Sequence, residues 1–429
     1  MHNFKALIVG TCSFFLLLGA PLLAQGEPPE NLTNDEYTAL AAGFLARQLA
    51  ASENGIYISP SDEAGTGEQY ATTVYAILGM AGAGIGRDQI LASTQGLIAA
   101  GEDFIGLLDE ANESIPEISL MILAMKAASL DPSLYEYEGG FRDLYMDVTN
   151  QVSGDGYIGE EPYVFGQSIA LLALATRDQP VPGEAIEWLL NAACSEPTSP
   201  NVGGYHFAEP GSCEDPDPDS TGLALNALHA AGVDATRLET SAAFLASRQD
   251  DLGGFFSDWS GTNTYTTGFA VAGLGSLGSH GELVERGQDY LRAMSYGCES
   301  TAAESMDTIG ALAASMEVRS GPVDELDPIE TTEYLFESTA QGLFGLLGGI
   351  PVPGVTTGSL STINNEAPGP GFCRGETDVL IASPISDKSS SFWLWLHDNA
   401  RTLAPYVGGA LVIVVAIMIV KRKRTSQEK

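Results

Sequence analysis

Gln249-Asp-Asp-Leu-Gly-Gly-Phe255, followed after nine intervening residues by Tyr265-Thr-Thr-Gly-Phe-Ala-Val-Ala-Gly-Leu274, is the stretch whose reading decides the architecture. The second segment is apolar on every side and rich in Ala and Gly, so a helix formed there has no face to offer water and must be buried. Its Thr pair stands where a helix N-cap is wanted. The first segment closes an amphipathic run, Ser241 to Gln249, and its Gly253-Gly254 pair supplies a turn with backbone conformations closed to other residues. Outer helix, glycine turn, buried helix: the unit is an αα-hairpin.

Outward from this unit, the pattern returns with a period of about 46 residues between Thr38 and Gly349. Further buried elements are Asp219 to Leu228 and Glu337 to Leu346, with weaker copies at Tyr70 to Leu78, Glu117 to Met125, Gly166 to Leu174 and Ser305 to Leu312. Ala185 to Ala193 and Gln288 to Met294 match the amphipathic run, setting Trp188-Leu189, Phe244-Leu245 and Tyr290-Leu291 in register, and Gly203-Gly204-Tyr205 repeats the turn. This makes six or seven hairpins, each unable to bury its apolar helix alone. The Ala/Gly-rich buried elements favour a closed ring over an open superhelix. The expected fold is all-α: an α/α toroid of about six hairpins, with a stalk and one C-terminal transmembrane helix.

The Gln249–Phe255 and Tyr265–Leu274 segments resemble the prenyltransferase/squalene-cyclase repeat. The likeness covers roughly residues 35 to 350 and is sharpest from Ala185 to Gly278. It implies the α/α toroid shared by terpenoid cyclases, protein prenyltransferases and cobalamin carriers of the transcobalamin type, and it is specific for fold rather than function.

The ends place the chain. Lys5 and the apolar run Ala6 to Leu23 read as a signal peptide, residues 1–24, with an uncleaved anchor as the alternative. Residues 25–349 form the toroid ectodomain, and the Pro-, Gly- and Ser-rich stretch 350–403 reads as a stalk. Residues 404–420 carry no charge and read as a transmembrane helix, followed by a basic tail, 421–429. The expected topology is single-pass type I, with the ectodomain outside the cytoplasm and the basic tail inside.

The formal charge is −37. Between Gln25 and Ala404, 13 basic residues stand against 55 acidic ones. Such a field repels phosphate, which excludes nucleic acid as a partner and argues against a diphosphate substrate. Cys194, Cys213, Cys298 and Cys373 fit two disulfides in an exported protein, Cys194 with Cys213 and Cys298 with Cys373 being the expected pairs among three connectivities. With no Cys-x-x-Cys and few histidines, a metal site is not expected, and no residue set points to a particular cofactor.

A closed ring gathers the N-termini of its buried helices at one mouth. Tyr163, Gln167, Tyr205, Phe207, Phe255, Trp259, Tyr265 and Asp307 are the expected ligand-binding residues there, aromatics with a few polar groups being the usual lining of a small-molecule site. Packing between hairpins is the alternative role for the aromatics. Asp215-Pro-Asp-Pro-Asp-Ser-Thr221 resembles the Asp-x-Asp-Asp-Thr segment of class II terpenoid cyclases, which makes Asp217 and Asp219 candidate catalytic acids, although Ser220 replaces the last Asp. The alternative is that Asp219 or Ser220 caps a helix and the prolines stiffen an exposed loop. The zinc ligands of protein prenyltransferases have no match. The expected function is a membrane-anchored protein that binds a small-molecule, cobalamin-like or protein ligand at the ring mouth; a cyclase-like enzyme using Asp219 and a non-catalytic surface scaffold are the alternatives.

Overall fold

The computed structural model describes residues 32–52, 54–58, 69–105, 115–137, 140–297, 308–320, 328–357, 359–367 and 379–380. These all belong to one unit, Met1–Ile381; the second, Ala382–Lys429, lies outside the described residues. The helices are α1 (Asn34–Ala51), α2 (Tyr70–Ala83), α3 (Arg87–Ala99), α4 (Gly101–Ile105), α5 (Ile115–Ala127), α6 (Leu144–Asn150) and α7 (Val164–Ala175). They continue as α8 (Gly183–Asn191), α9 (Pro218–Ala230), α10 (Glu239–Arg248), α11 (Thr264–Leu277), α12 (Gly281–Met294), α13 (Met316–Ser320) and α14 (Pro328–Leu347). Strands are confined to short antiparallel pairs: β1 (Tyr135–Tyr137) with β2 (Gly140–Arg142), β3 (Phe256–Ser257) with β4 (Gly261–Thr262), and β5 (Glu366–Ala367) with β6 (Val379–Leu380).

Helices α2, α5, α7, α9, α11 and α14 pack in cyclic order, α14 returning to α2. Around them α1, α3, α6, α8, α10 and α12 each cover the seam between two inner helices. The arrangement is mostly helical and compatible with an α/α toroid of six hairpins. The inner helices run parallel where their close contacts define direction. Gly268 and Gly275 of α11 face Gln341 and Gly348, while Gly79 and Gly82 of α2 face Leu343 and Leu347. Glycines let the backbones approach to a distance that any side chain would prevent.

Two local devices recur among the described hairpins. Gly253 (φ +92°) turns the chain out of α10, and a Cβ there would collide with the Arg286 carbonyl on α12, the next outer helix. Gly310 (φ +91°) does the same after α12, resting against Leu40 of α1, so the last turn docks on the first helix. The second device corrects the expected Thr caps. The hydroxyls of Thr73, Thr221 and Thr267, each one turn inside its helix, and of Thr339, farther along the longer α14, accept the backbone N–H of Tyr57, Tyr205, Phe255 and Leu312 respectively, at 2.8–3.0 Å. The real caps of α9 and α11 are Asp217 and Asn263.

Two further expectations are corrected. Residues 308–312 form a turn around Gly310 instead of a seventh buried helix. The stretch from residue 350 does not begin as a stalk: Ile350, Val352, Leu360 and Ile363 are buried. Pro351 lies against Gly82, Asn364 N–H donates to Gly84 O (2.9 Å), and Leu360 N–H donates to Ser129 Oγ (2.9 Å). This segment crosses the C-terminal ends of α2 and α5. The Cys194–Cys213 disulfide is formed, with Cα atoms 4.9 Å apart. Cys298, Cys373, the signal segment 1–24, the transmembrane segment 404–420 and the tail 421–429 lie outside the described residues. Among the described residues no helix is long and apolar enough to cross a membrane.

Candidate functional site at the ring mouth

Aromatic side chains meet across the axis of the ring. Tyr75 of α2 packs edge-on against Phe269 of α11 (6.0 Å between centroids) and Phe344 of α14 (5.8 Å), and Phe165 of α7 packs edge-on against Phe269 (6.2 Å). Since α2 and α7 are not neighbours of α11, these contacts span the middle. Phe269 and Phe344 are buried, whereas Tyr75, Glu117, Phe165, Asp219 and Tyr265, nearer the N-terminal ends, keep part of their surface open to water. The axis is therefore closed by the rings of Phe269 and Phe344 below the mouth and partly open at the mouth, a recess with an aromatic base. Tyr163 and Phe165 extend it outward to Phe207, at 5.2 and 5.3 Å.

Glu117, in the first turn of α5, stands in this recess. Its Oε2 is buried without a hydrogen-bond partner among the described residues, and burial raises its pKa. The hydroxyls of Tyr75 and Tyr163 titrate high, first because they are buried and also because the Glu117 charge is near; Tyr163 is pushed up to about 12. Asp219 lies at the mouth end of the seam between α9 and α11. Burial, then repulsion from Asp217, pushes its pKa up to about 7, against a smaller opposing effect of the Thr266 hydroxyl. Its Oδ1 is also buried and unpartnered among the described residues. Asp217 differs: burial raises its pKa too, yet its carboxylate accepts the Ser220 N–H (2.7 Å) and the Ser220 hydroxyl (3.1 Å) as the cap of α9.

The expected site residues divide on this geometry. Tyr163 and Phe207 line the mouth, and Tyr265 reaches across to donate to the Tyr334 carbonyl at 3.4 Å. Trp259 is 78% exposed on the β3–β4 hairpin, which Arg248 ties to outer helix α10 through Asp258 (2.8 Å), so it stands at the rim. Tyr205 and Phe255 are buried, held in the glycine turns by the Thr stitches, and belong to hairpin packing. Gln167 is buried too: Oε1 accepts the Ile158 N–H (2.8 Å) and Nε2 donates to Gly156 O (3.2 Å) and Ala185 O (3.0 Å), the stitch of its own hairpin. Asp307 lies outside the described residues. The expected alternative for Asp219 is also corrected. Asp217 is the cap, and Pro216 and Pro218 are buried instead of lining an exposed loop.

Glu117, Tyr75, Phe165, Phe269 and Phe344 were not among the expected residues. Glu117 carried a readable signal as the lone acid in an apolar helix, where a buried carboxyl needs a reason. The aromatics carried none, because helical spacing does not distinguish a recess from a core. Chemically, the recess combines π-faces with Asp219, a carboxyl that can hold or release a proton near neutral pH, and with Glu117, whose pKa burial raises. Among the described residues no group of His, Cys, Asp and Glu could hold a metal ion.

No family model matches the chain, and no curated protein matches it. Solved structures similar to it include a protein from Actinoplanes (14% identity, 74% of this chain and 99% of that one, TM-score 0.48). A wild-type glycosidase (14% identity, 73% and 98%, TM-score 0.41) and a glycosidase variant in complex with glucose (15% identity, 74% and 99%, TM-score 0.42) are also similar. With TM-scores below one half, no residue role passes from them to this chain.

Proposed function

We propose that this chain is a membrane-anchored extracytoplasmic binding protein whose ring mouth takes up a small molecule, with a protein ligand as the other occupant of the same face. The observation that carries the reading is a pair of carboxyl oxygens buried and unpartnered among the described residues, Glu117 Oε2 and Asp219 Oδ1, toward the end of the ring where Tyr75, Phe165 and Tyr265 remain partly open to water. A protein interior rarely leaves such atoms unsatisfied unless something else satisfies them. A cobalamin-like cofactor is one candidate, and the recess suits a ligand held partly outside it. Native mass spectrometry of the detergent-extracted full chain against a panel of cofactors and isoprenoids is expected to show a retained ligand, lost on Phe165→Ala. Retention unaffected by that change, or no retention, removes the reading.

The anchor is residues 404–420, oriented by the basic tail. Ending the chain before Ala404 is expected to release the protein from the membrane fraction; a truncated chain that stays there removes the anchor.

A second reading, cyclase-like catalysis with Asp219 as general acid, is favoured by the proton that Asp219 holds up to about pH 7 and by its freedom from any capping role. Turnover of a polyprenyl alkene or epoxide, abolished by Asp219→Asn, is its expected signature.

A further inference from the structure

The inner helices carry charge of one sign toward the mouth. Glu117 on α5 and Asp219 on α9 lie in the N-terminal halves of their helices, as does Glu337 on α14. The only Lys or Arg on these helices is Lys126, in the last turn of α5. Helix N-termini would by themselves favour an anion. At α9 and α11, however, the Asp217 and Asn263 side chains already accept the first free N–H groups, at 2.7 and 2.9 Å. What the recess lacks is a positive charge.

Glu117 makes that lack specific. Its Oε2 is buried and unpartnered among the described residues, its charge acts on the hydroxyls of Tyr75 and Tyr163, and Phe165 stands beside Tyr163. A carboxylate flanked by electron-rich faces is the complement of an alkylated nitrogen cation, which gains from the carboxylate charge and from the ring quadrupoles together. A divalent metal would need more oxygens than this cluster supplies. We propose that the recess binds an organic ammonium ion, seated against Glu117 between the rings of Tyr75, Tyr163 and Phe165. This rests on the reading of the mouth as a binding site and names its ligand class. The net negative charge of the surrounding segment steers such a cation inward and turns anions away.

The test is calorimetric titration of the full chain in detergent with choline and with its uncharged isostere, 3,3-dimethylbutan-1-ol. Choline is expected to bind at least tenfold more tightly than the isostere. Glu117→Gln, which keeps the shape, should lower choline affinity at least tenfold without lowering the melting temperature. Tyr75→Phe should retain affinity and Tyr75→Leu should lose it, since a ring face is needed and a hydroxyl is not. Equal affinity for the two probes, or full choline affinity in Glu117→Gln, overturns the ammonium assignment while leaving a neutral-ligand mouth standing. Absence of choline binding alongside a retained neutral ligand does the same. Absence of any retained ligand in the mass spectrometry panel removes the binding reading itself.

Discussion

Asp219 and Thr221 are two residues apart, and their environments separate a functional group from a structural one. Thr221 both accepts and donates, taking the Tyr205 N–H (3.0 Å) and giving its proton to Asp217 O (2.7 Å). Asp219 finds no such satisfaction for Oδ1. Because its folded pKa is about 7 against an unperturbed 3.8, the folded state holds a proton that the unfolded state loses. Stability therefore falls as pH rises between about 4 and about 7 and is level above that, a penalty of up to roughly 4 kcal/mol. Asp219→Asn should remove this penalty. Denaturant midpoints at pH 5 and pH 8 are expected to show the variant gaining on the wild type at the higher pH, and an unchanged difference would refute the shift. From sequence, the Asp217–Thr221 run was recognisable as a helix start with candidate acids. Which Asp capped and which kept an unpartnered oxygen was not readable, since the two stand only two residues apart.

At the scale of elements, the glycine turn governs how hairpins stack. Gly253→Ala combines a left-handed backbone with a collision against Arg286 O, so a loss of about 3 kcal/mol is expected from strain and overpacking together. Gly261, also left-handed (φ +70°) but with open space around its Cβ position, serves as the control, and Gly261→Ala should cost only about 1 kcal/mol. Equal midpoints for the two variants in urea would show that the docking of the turn on α12 contributes nothing. Most elements were readable because a helix apolar all round and a Gly-Gly-aromatic turn are strong local patterns. Residues 305–312 misled because small apolar residues such as Ile309, Ala311 and Leu312 suit a buried turn as well as a buried helix, and all three are buried.

Across the whole molecule, closure has two parts: the last turn docking on α1 through Gly310, and the segment after α14 folding back across α2 and α5. A chain ending at Gly349 loses the burial of Ile350, Val352, Leu360 and Ile363 and uncovers the C-terminal ends of α2 and α5. On the order of 5 kcal/mol should go with it, seen as a drop of several degrees in melting temperature. An unchanged melting temperature would mean that the segment merely lies on the surface. The repeat, most of the outer and buried helices and the acidity of the segment between the apolar ends were settled by the sequence, because each depends on residues near one another in the chain; the Cys194–Cys213 bond was one of three connectivities until the fold paired them. The recess was not settled by the sequence. Tyr75, Glu117, Phe165, Asp219 and Phe269 come from five different helices, and only the closing of the ring brings their side chains to one place. Whether a carboxyl is solvated, capping or stranded depends on that enclosure, and no local pattern records it.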